Sequence, residues 1–537
     1  MRQVALLAVS AAAIFAVLVL PNHPGTMKWS ALNRWPLELP VLLLGAIAVG
    51  RRLAFLHVVA LVLVICVFIK VADYVMFSAY NRTFNPILDT FLIEAGFSLL
   101  RDSIGGVAAG LVAIGAVLAL LVVYIAIFHS LRTWSGLNPP GPMRALVLVA
   151  AVGATAWAVA DAGHHLKYWS FERSPPGTAW TSRLTAKRAL EMRDTAVDLA
   201  DFSVAARTDP YAKRSDLFDR LGGRDVLIIW IESYGRASFE NPVYAPTHLA
   251  TLRAAEEEIR AAGLGIKSGW LTSPTAGGQS WLAHGALASG LWTDNHGRYN
   301  AMLASGRRWL FHFAREAGYR TSAVMPAITV GWPESSAMGF DVVIPAADIP
   351  YKGERFRWVT MPDQFTLATY SDLLPPDPRP DFVQIALISS HAPWTPIARM
   401  VPWEEVGDGT VFNEMARQGP TPRALWKDRD AVRDAYRRSV DYSLRAAFSH
   451  VARLGPDAPL VIVAGDHQAA SFVAGSESKD VAVHMIAPEP VLDSIAHWGW
   501  NAGLLPDPNG PVRRMDSFRN DFLDAFSTAA QSAMAGG

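Results

Sequence analysis

Apolar residues along this chain follow two regimes that change near residue 165. Before that point lie five long apolar runs, at roughly 4–20, 37–50, 53–69, 107–128 and 144–162, most of them near the ~20 residues a helix needs to cross a bilayer. Five crossings are expected. Only Arg51 and Arg52 separate the short second run from the third, which predicts a tight helical hairpin with its turn on the cytoplasmic side. With the amino terminus also cytoplasmic, the Arg132–Arg144 loop falls inside and the chain after the fifth run emerges outside. Lys28, Arg34, Lys70 and Arg82 weaken that charge contrast. The first run also has the charged start, Arg2, and the apolar centre of a signal peptide. No small-residue cleavage site stands out before Pro21 and four more runs follow, so a retained helix is expected.

Residues 165–223 read as a juxtamembrane connector, with Pro175, Pro176 and Gly177 ahead of a charged helical stretch through Thr185–Ala200. From Arg224 the texture changes. Val226–Ile231 is a continuous apolar run bounded by Gly222-Gly223 and Glu232-Ser233-Tyr234-Gly235, as expected of a strand buried on both faces. Similar runs recur at Thr321–Met325, Phe382–Ile388, Leu460–Ala464 and Val481–Ile486. Helical patterns alternate with them, at His248–Ala262, Trp309–Ala317, Asp430–Arg453 and Ser517–Ala530. This alternation predicts an α/β domain over 224–537, with a mainly parallel sheet covered by helices on both faces. Ligands of such sheets gather at the carboxyl ends of the strands.

Composition agrees with a membrane region joined to a folded domain: 51% of residues are apolar and only 18% charged. Cys66 is the sole cysteine, inside an apolar run, so no intramolecular disulfide or cysteine-built zinc site can form. Lysine plus arginine equals aspartate plus glutamate at 48 each, which argues against a nucleic-acid partner.

Glu232, Ser389-Ser390-His391 and Gly465-Asp466-His467 follow predicted strands directly, and three groups of residues carry candidate chemistry. Asp466-His467 closes the run Val461-Ile462-Val463-Ala464-Gly465, and offers an oxygen and a nitrogen to a divalent cation. Glu232 gives a second carboxylate at another strand end. Each reads equally well as a loop residue or helix cap when taken alone. Parallel strand ends converge on one sheet edge, however, so Glu232, Asp466 and His467 make a three-ligand set. The third group is Ser273-Pro274-Thr275-Ala276-Gly277-Gly278-Gln279-Ser280-Trp281, where paired glycines precede a hydroxyl residue at a helix start. Such a loop leaves N–H groups aimed at an anion, and equally serves as an ordinary cap.

In combination these motifs resemble the alkaline phosphatase and sulfatase superfamily, particularly its membrane-bound branch of lipoteichoic acid synthases and phosphoethanolamine transferases. The matching residues are Ile231-Glu232-Ser233, Ser280 at a helix start, and Gly465-Asp466-His467. Ser390-His391-Ala392-Pro393-Trp394 resembles the family segment that contacts the substrate headgroup, and Gly339-Phe340-Asp341 and the helix at Asp441-Tyr442-Ser443-Leu444 are also similar. The resemblance implies Ser280 as nucleophile beside one divalent ion, Mn²⁺, Mg²⁺ or Zn²⁺, held by Glu232, Ser280, Asp466 and His467. It implies His391 as an acid or headgroup contact, and a lipid or lipid-linked substrate at the extracytoplasmic, periplasmic face of the inner membrane.

The departures narrow the reaction. Ser280-Trp281-Leu282-Ala283-His284 lacks the small residue and arginine of formylglycine sulfatases, so an unmodified serine is expected. No Asp precedes His391 as a second-metal ligand would, which favours one cation. The Trp-x-Arg that binds headgroups in lipoteichoic acid synthases is matched loosely by Trp332-Pro333-Glu334, where an acid would repel phosphate and attract an amine or hydroxyl. Trp332, Glu334, His391 and His284 are therefore the expected substrate contacts, and His484, inside a strand, is expected to fill core space. The function implied is transfer of a phosphorylated headgroup through a phosphoserine. A hydrolase acting on phosphate or sulfate esters at the same site is the first alternative, and an inert membrane scaffold the second.

Overall fold

A computed structural model of the protein describes residues 1–26, 35–80, 83–171, 176–214, 217–329 and 332–528. Lys28, Arg34, Arg82 and Pro175 lie outside the described residues. The chain divides into two compact units, Met1–Ala200 and Asp201–Gly537. This division falls inside the segment read as a connector.

In the first unit the apolar runs form α1 (Arg2–Val19), α2 (Glu38–Val49), α3 (Leu53–Tyr80), α5 (Gly106–Ser135) and α6 (Gly141–His165), with α4 (Phe91–Ile104) between the third and fourth runs. Four of them are long and apolar enough to cross a membrane, while α2 has 12 residues and falls short by length alone. A further helix, α7 (Trp180–Arg207), includes the charged stretch expected at Thr185–Ala200.

Charges embedded in these helices are consumed locally. Lys70 is fully buried and its Nζ donates to the Val17 and Leu18 carbonyls at the end of α1 and to Thr181 Oγ1, at 2.9–3.1 Å. Such carbonyls lack intrahelical partners, so a cation there caps the helix. Asp73 accepts from Asn22 Nδ2, Phe84 N and Arg188 Nη2 at 2.8–2.9 Å. Glu38 and Asp161 accept the Ser182 and Ala179 amides, each at 2.8 Å, which fixes the start of α7.

The second unit is built on one nine-stranded sheet. Its strands are β1 (Val226–Ile231), β2 (Gly265–Thr272), β3 (Arg320–Met325), β4 (Val342–Pro345), β5 (Asp381–Ala386), β6 (Leu460–Gly465), β7 (Asp480–Ala487), β8 (Asn501–Ala502) and β9 (Val512–Arg514). They run in the order β4-β3-β5-β1-β6-β7-β2-β8, and β9 pairs with β2. From β4 to β6 every pair is parallel; β7 is antiparallel to both β6 and β2. The ends of β1, β2, β3, β4, β5 and β6 therefore share one edge with the start of β7.

Strand β1 shows why both faces are covered. Leu227, Ile229 and Ile231 enter one core with Leu252, Ile259, Val440 and Leu444. Val226, Ile228 and Trp230 enter the other, with Leu282, Ala286, Phe313 and Phe522. The helix Arg429–Arg453 starts where Asp428 accepts the Asp430 and Ala431 amides, and buries Val432, Tyr436, Val440 and Leu444 at four-residue spacing. His484 is fully buried between Ser268 Oγ at 2.7 Å and the Tyr234 hydroxyl at 3.1 Å, and burial pushes its imidazole down to about 3. It is a neutral core residue.

Strand β6 ends at Gly465, where an added Cβ would lie 1.8 Å from the Tyr234 carbonyl oxygen. Backbone cannot yield as a side chain can. Gly465→Ala is expected to destabilise the protein by about 3 kcal/mol, measured by denaturant unfolding of the purified chain. Gly115→Ala in α5, with nothing within 4 Å of the new methyl, is the control expected not to destabilise the protein.

Candidate functional site

Glu232, Asp466 and His467 each follow a strand end, and β1 and β6 are neighbours in register, Ile231 beside Gly465. Their ligand atoms all lie within 4.8 Å of one another. Ser233 turns the chain sharply after β1 in the left-handed region, φ 59°. Its amide then donates to Asp466 Oδ1 at 2.8 Å and its hydroxyl to Glu232 Oε1 at 2.8 Å. Asp466 Oδ1 also accepts the His467 amide at 2.6 Å. His467 Nδ1 donates to the Gln468 carbonyl at 3.0 Å, which turns the basic Nε2 toward Glu232 Oε1 at 3.3 Å and Asp466 Oδ2 at 3.6 Å.

After β2, Gly277, Gly278 and Gln279 take positive φ in succession and deliver Ser280 to the first position of the helix Ser280–Ser289. A Cβ on Gly277 would sit 3.1 Å from Ala470 Cα, so this loop packs closely on the one after β6. Gly277 N donates to the Gln468 carbonyl at 2.7 Å and Ser273 Oγ to the Asp466 carbonyl at 2.7 Å. The result places Ser280 Oγ 3.0 Å from Glu232 Oε2, to which it donates, and 3.4 Å from His467 Nε2.

The electrostatics are those of an anionic pocket. Burial drives the Asp466 carboxyl up to about 7, with the Glu232 charge adding to the rise. Burial also opposes the Glu232 charge, but His467 and His391 outweigh it and hold Glu232 at about 2. Burial works against a charged His467 as well; Asp466 and Glu232 overcome it and raise its pKa. Among the described residues the ion-pair partner of both acids is His467 alone. Two crowded carboxylates and an imidazole with its Nε2 directed at them form a donor set that fits one divalent cation.

His391 follows β5, which lies on the other side of β1. Its Nδ1 donates to the Ala392 carbonyl at 2.5 Å, and Ser390 Oγ donates to the Glu232 carbonyl at 2.7 Å. His284, one turn after Ser280, stacks on Trp230 with ring centres 4.3 Å apart. Burial pushes its pKa down to about 3, so it is neutral, and its Nε2 is buried without a hydrogen-bond partner. Trp332 and Glu334 follow β3 on the same edge. Trp332 packs near Phe340 at 6.0 Å and Glu334 is exposed. Among the described residues no hydrogen bond or ion pair joins either of them to the acid cluster.

Asp363 was not singled out from the sequence, because the only signal was an isolated acid after Met361-Pro362. It is fully buried, and burial raises its pKa. Oδ1 accepts the Ile388 and Ser389 amides, both at 2.8 Å, and Oδ2 accepts Ser443 Oγ at 2.6 Å. It thus pins the base of the His391 loop.

Residues 224–484 match the sulfatase family model. This segment belongs to the sulfatase family. The superfamily resemblance drawn from the motifs is borne out, and the protein carries a sulfatase-family enzyme domain after its apolar helices. Comparison with curated proteins gives no significant match. Among solved structures, the integral membrane protein lipooligosaccharide phosphoethanolamine transferase A from Neisseria meningitidis is similar over 96% of this chain and 95% of its own, at 14% identity and TM-score 0.48. The phosphoglycerol transferase GacH of Streptococcus pyogenes is similar over 62% of this chain and 81% of its own, at 13% identity and TM-score 0.38. The lipoteichoic acid synthase LtaP of Listeria monocytogenes is similar over 62% and 80%, at 12% identity and TM-score 0.35.

In the sulfatase domain, Asp363→Ala strands three buried donors at about 1–3 kcal/mol each. Denaturant unfolding is expected to show a loss of about 4 kcal/mol. Asp363→Asn keeps an acceptor for both amides and should lose less than half as much.

Proposed function

We propose that the protein is a membrane-anchored, metal-dependent phospho-group transferase that moves a phosphorylated headgroup from a lipid donor to an envelope glycan or lipid acceptor. The supporting observation is the contact of Ser280 Oγ with Glu232 Oε2 at 3.0 Å inside a cluster suited to one cation. Glu232, Asp466, His467 and Ser280 would hold Mn²⁺, Mg²⁺ or Zn²⁺, and the bound ion supplies Lewis acidity toward the phosphoryl oxygens and lowers the serine pKa.

Ser280 Oγ, its proton passing to solvent because Glu232 at about 2 is too weak a base to keep it, attacks phosphorus and forms a phosphoserine as the bond to the lipid alcohol breaks. His391 Nε2 protonates the departing oxygen. It then takes the proton of the acceptor hydroxyl, which attacks the phosphoserine and releases the Ser280 oxygen to recover a proton from solvent. The amino end of the Ser280–Ser289 helix favours negative charge at the transferred group. Neutral His284 offers Nε2 to a substrate oxygen, while Trp332 and Glu334 contact the headgroup farther along the edge.

The domain works on the extracytoplasmic, periplasmic side of the inner membrane, where the tether keeps it near lipid-linked substrates. Water in place of the acceptor gives the hydrolase reading.

Mass analysis of the Ser280 peptide after incubation of the metal-loaded protein with membrane lipids tests the proposal. A headgroup-phosphate adduct is expected in the parent and absent from Ser280→Ala. Turnover should fall at least about a thousandfold in Ser280→Ala, and chelation should remove activity that divalent ions restore. Undiminished turnover in Ser280→Ala would sink the proposal, and free phosphorylated headgroup with no transferred product would select hydrolysis.

A further inference from the structure

Four arginines from three stretches of chain gather at one end of the apolar helices. Arg51 and Arg52 form the turn between α2 and α3, Arg132 lies in the last turn of α5, and Arg144 in the first turn of α6. Two contacts bring these stretches together. Arg144 Nη2 donates to the Ala48 carbonyl at 3.1 Å, and Arg51 Nη2 lies 3.4 Å from where a Cβ on Gly136, just after α5, would stand. Ala48 is in the last turn of α2, whose carbonyls lack partners within the helix, so Arg144 caps that helix from its neighbour. All four arginines are exposed, and none meets a carboxylate among the described residues.

The sequence supplies no counter-charge here. No acidic residue occurs between Glu38 and Asp73 or between Asp102 and Asp161, the stretches that build this end. Three of these bounding acids are engaged elsewhere: Glu38 and Asp161 hold the start of α7, and Asp73 pairs with Arg188. Apolar surface adjoins the arginines instead. Leu53 and Phe55 follow Arg52, Met143 and Leu146 flank Arg144, and all four are exposed. A topology signal requires only that positive charge stand in a loop. It does not require three stretches to converge beside bare hydrocarbon.

We infer that this end of the helices is a binding site for an anionic phospholipid, with the phosphate among the arginines and the acyl chains along Leu53, Phe55 and Leu146. A guanidinium meets phosphate through two parallel N–H···O bonds. Basic groups where helices leave the bilayer attract anionic headgroups. The neighbouring apolar side chains decide the source of the phosphate. A free phosphate or an acidic peptide satisfies the charge and leaves that surface uncovered, whereas a zwitterionic lipid covers it but brings an ammonium among four arginines. One bound lipid joins the α2–α3 turn to α5 and α6. The site includes no residue of the Ser280 cluster and stands independently of the proposed transfer reaction.

Native mass spectrometry of the full chain in detergent tests it, with tetraoleoyl cardiolipin, dioleoyl phosphatidylcholine, inorganic phosphate and a polyglutamate peptide as probes. The parent is expected to bind cardiolipin at least about tenfold more tightly than phosphatidylcholine, and to lose that preference as salt is raised. Arg52→Gln should weaken cardiolipin binding about fivefold, and Arg52→Gln with Arg132→Gln about twenty-five-fold, while Arg52→Lys stays within about twofold of the parent. Unfolding curves in lipid-free detergent that match the parent exclude a folding defect, and the parent's own lipid preference tests the site without any variant. Equal binding of phosphatidylcholine, displacement of cardiolipin by equimolar phosphate or polyglutamate, or undiminished binding by the folded double variant overturns the inference.

Discussion

The register between β1 and β6 is the constraint on which the rest of the domain depends. By setting Ile231 beside Gly465 it forces Glu232 and Asp466 into adjacent positions at a buried sheet edge. The two carboxylates repel, and burial magnifies the repulsion, which is why Asp466 is driven to about 7 while Glu232 stays ionised. Among the described residues, only imidazole opposes that charge at close range. Several awkward local features serve the arrangement: a left-handed Ser233, a residue without Cβ at Gly465, and three successive positive φ angles before Ser280. Their combined cost is borne by two cores that clamp the sheet from both faces.

Much of this was legible because buried parallel strands announce themselves as apolar runs. The five strands predicted from such runs all occur, as do three of the helices they alternate with; the fourth, expected at Ser517–Ala530, is the shorter helix Phe518–Ala525, and residues 529–530 lie outside the described residues. β2 escaped notice because Lys267, Ser268 and Gly269 interrupt it. Gly269 makes room for Trp500, whose indole a Cβ there would overlap at 2.2 Å, so its packing partner lies more than two hundred residues away. β4 escaped because four residues carry no periodicity. The same logic divides the site. Glu232, Asp466, His467 and Ser280 stand beside runs or glycine pairs and could be found, whereas Asp363 gains its meaning only from the loop after β5, which folds against it.

The membrane unit shows a related limit on reading charge from sequence. Lys70 blurred the expected orientation because a cation near an apolar run counts toward a topology signal. In the fold it is no surface charge at all, since it closes the last carbonyls of α1 and meets Thr181 at the start of α7. Asp73 and Arg188 pair in the same way. Charges that bind helices to one another carry information about packing, and counting them as loop charges misassigns it.

The proposed phosphoserine intermediate would set one further demand on this site. Water attacks it as readily as any alcohol unless the acceptor is held in place or water is kept out. The acid cluster is almost sealed, with the Glu232 side chain 11% exposed and that of His467 1%. His391, only partly buried, acts electrostatically on Glu232, and its ring lies 6.1 Å from that of the exposed Trp358. An acceptor bound there would occupy the volume from which water must otherwise approach. On the proposed reaction, binding of the acceptor and exclusion of water would be one event, so the loops after β4 and β5, rather than the acid cluster, would separate a transferase from a hydrolase built on the same cluster.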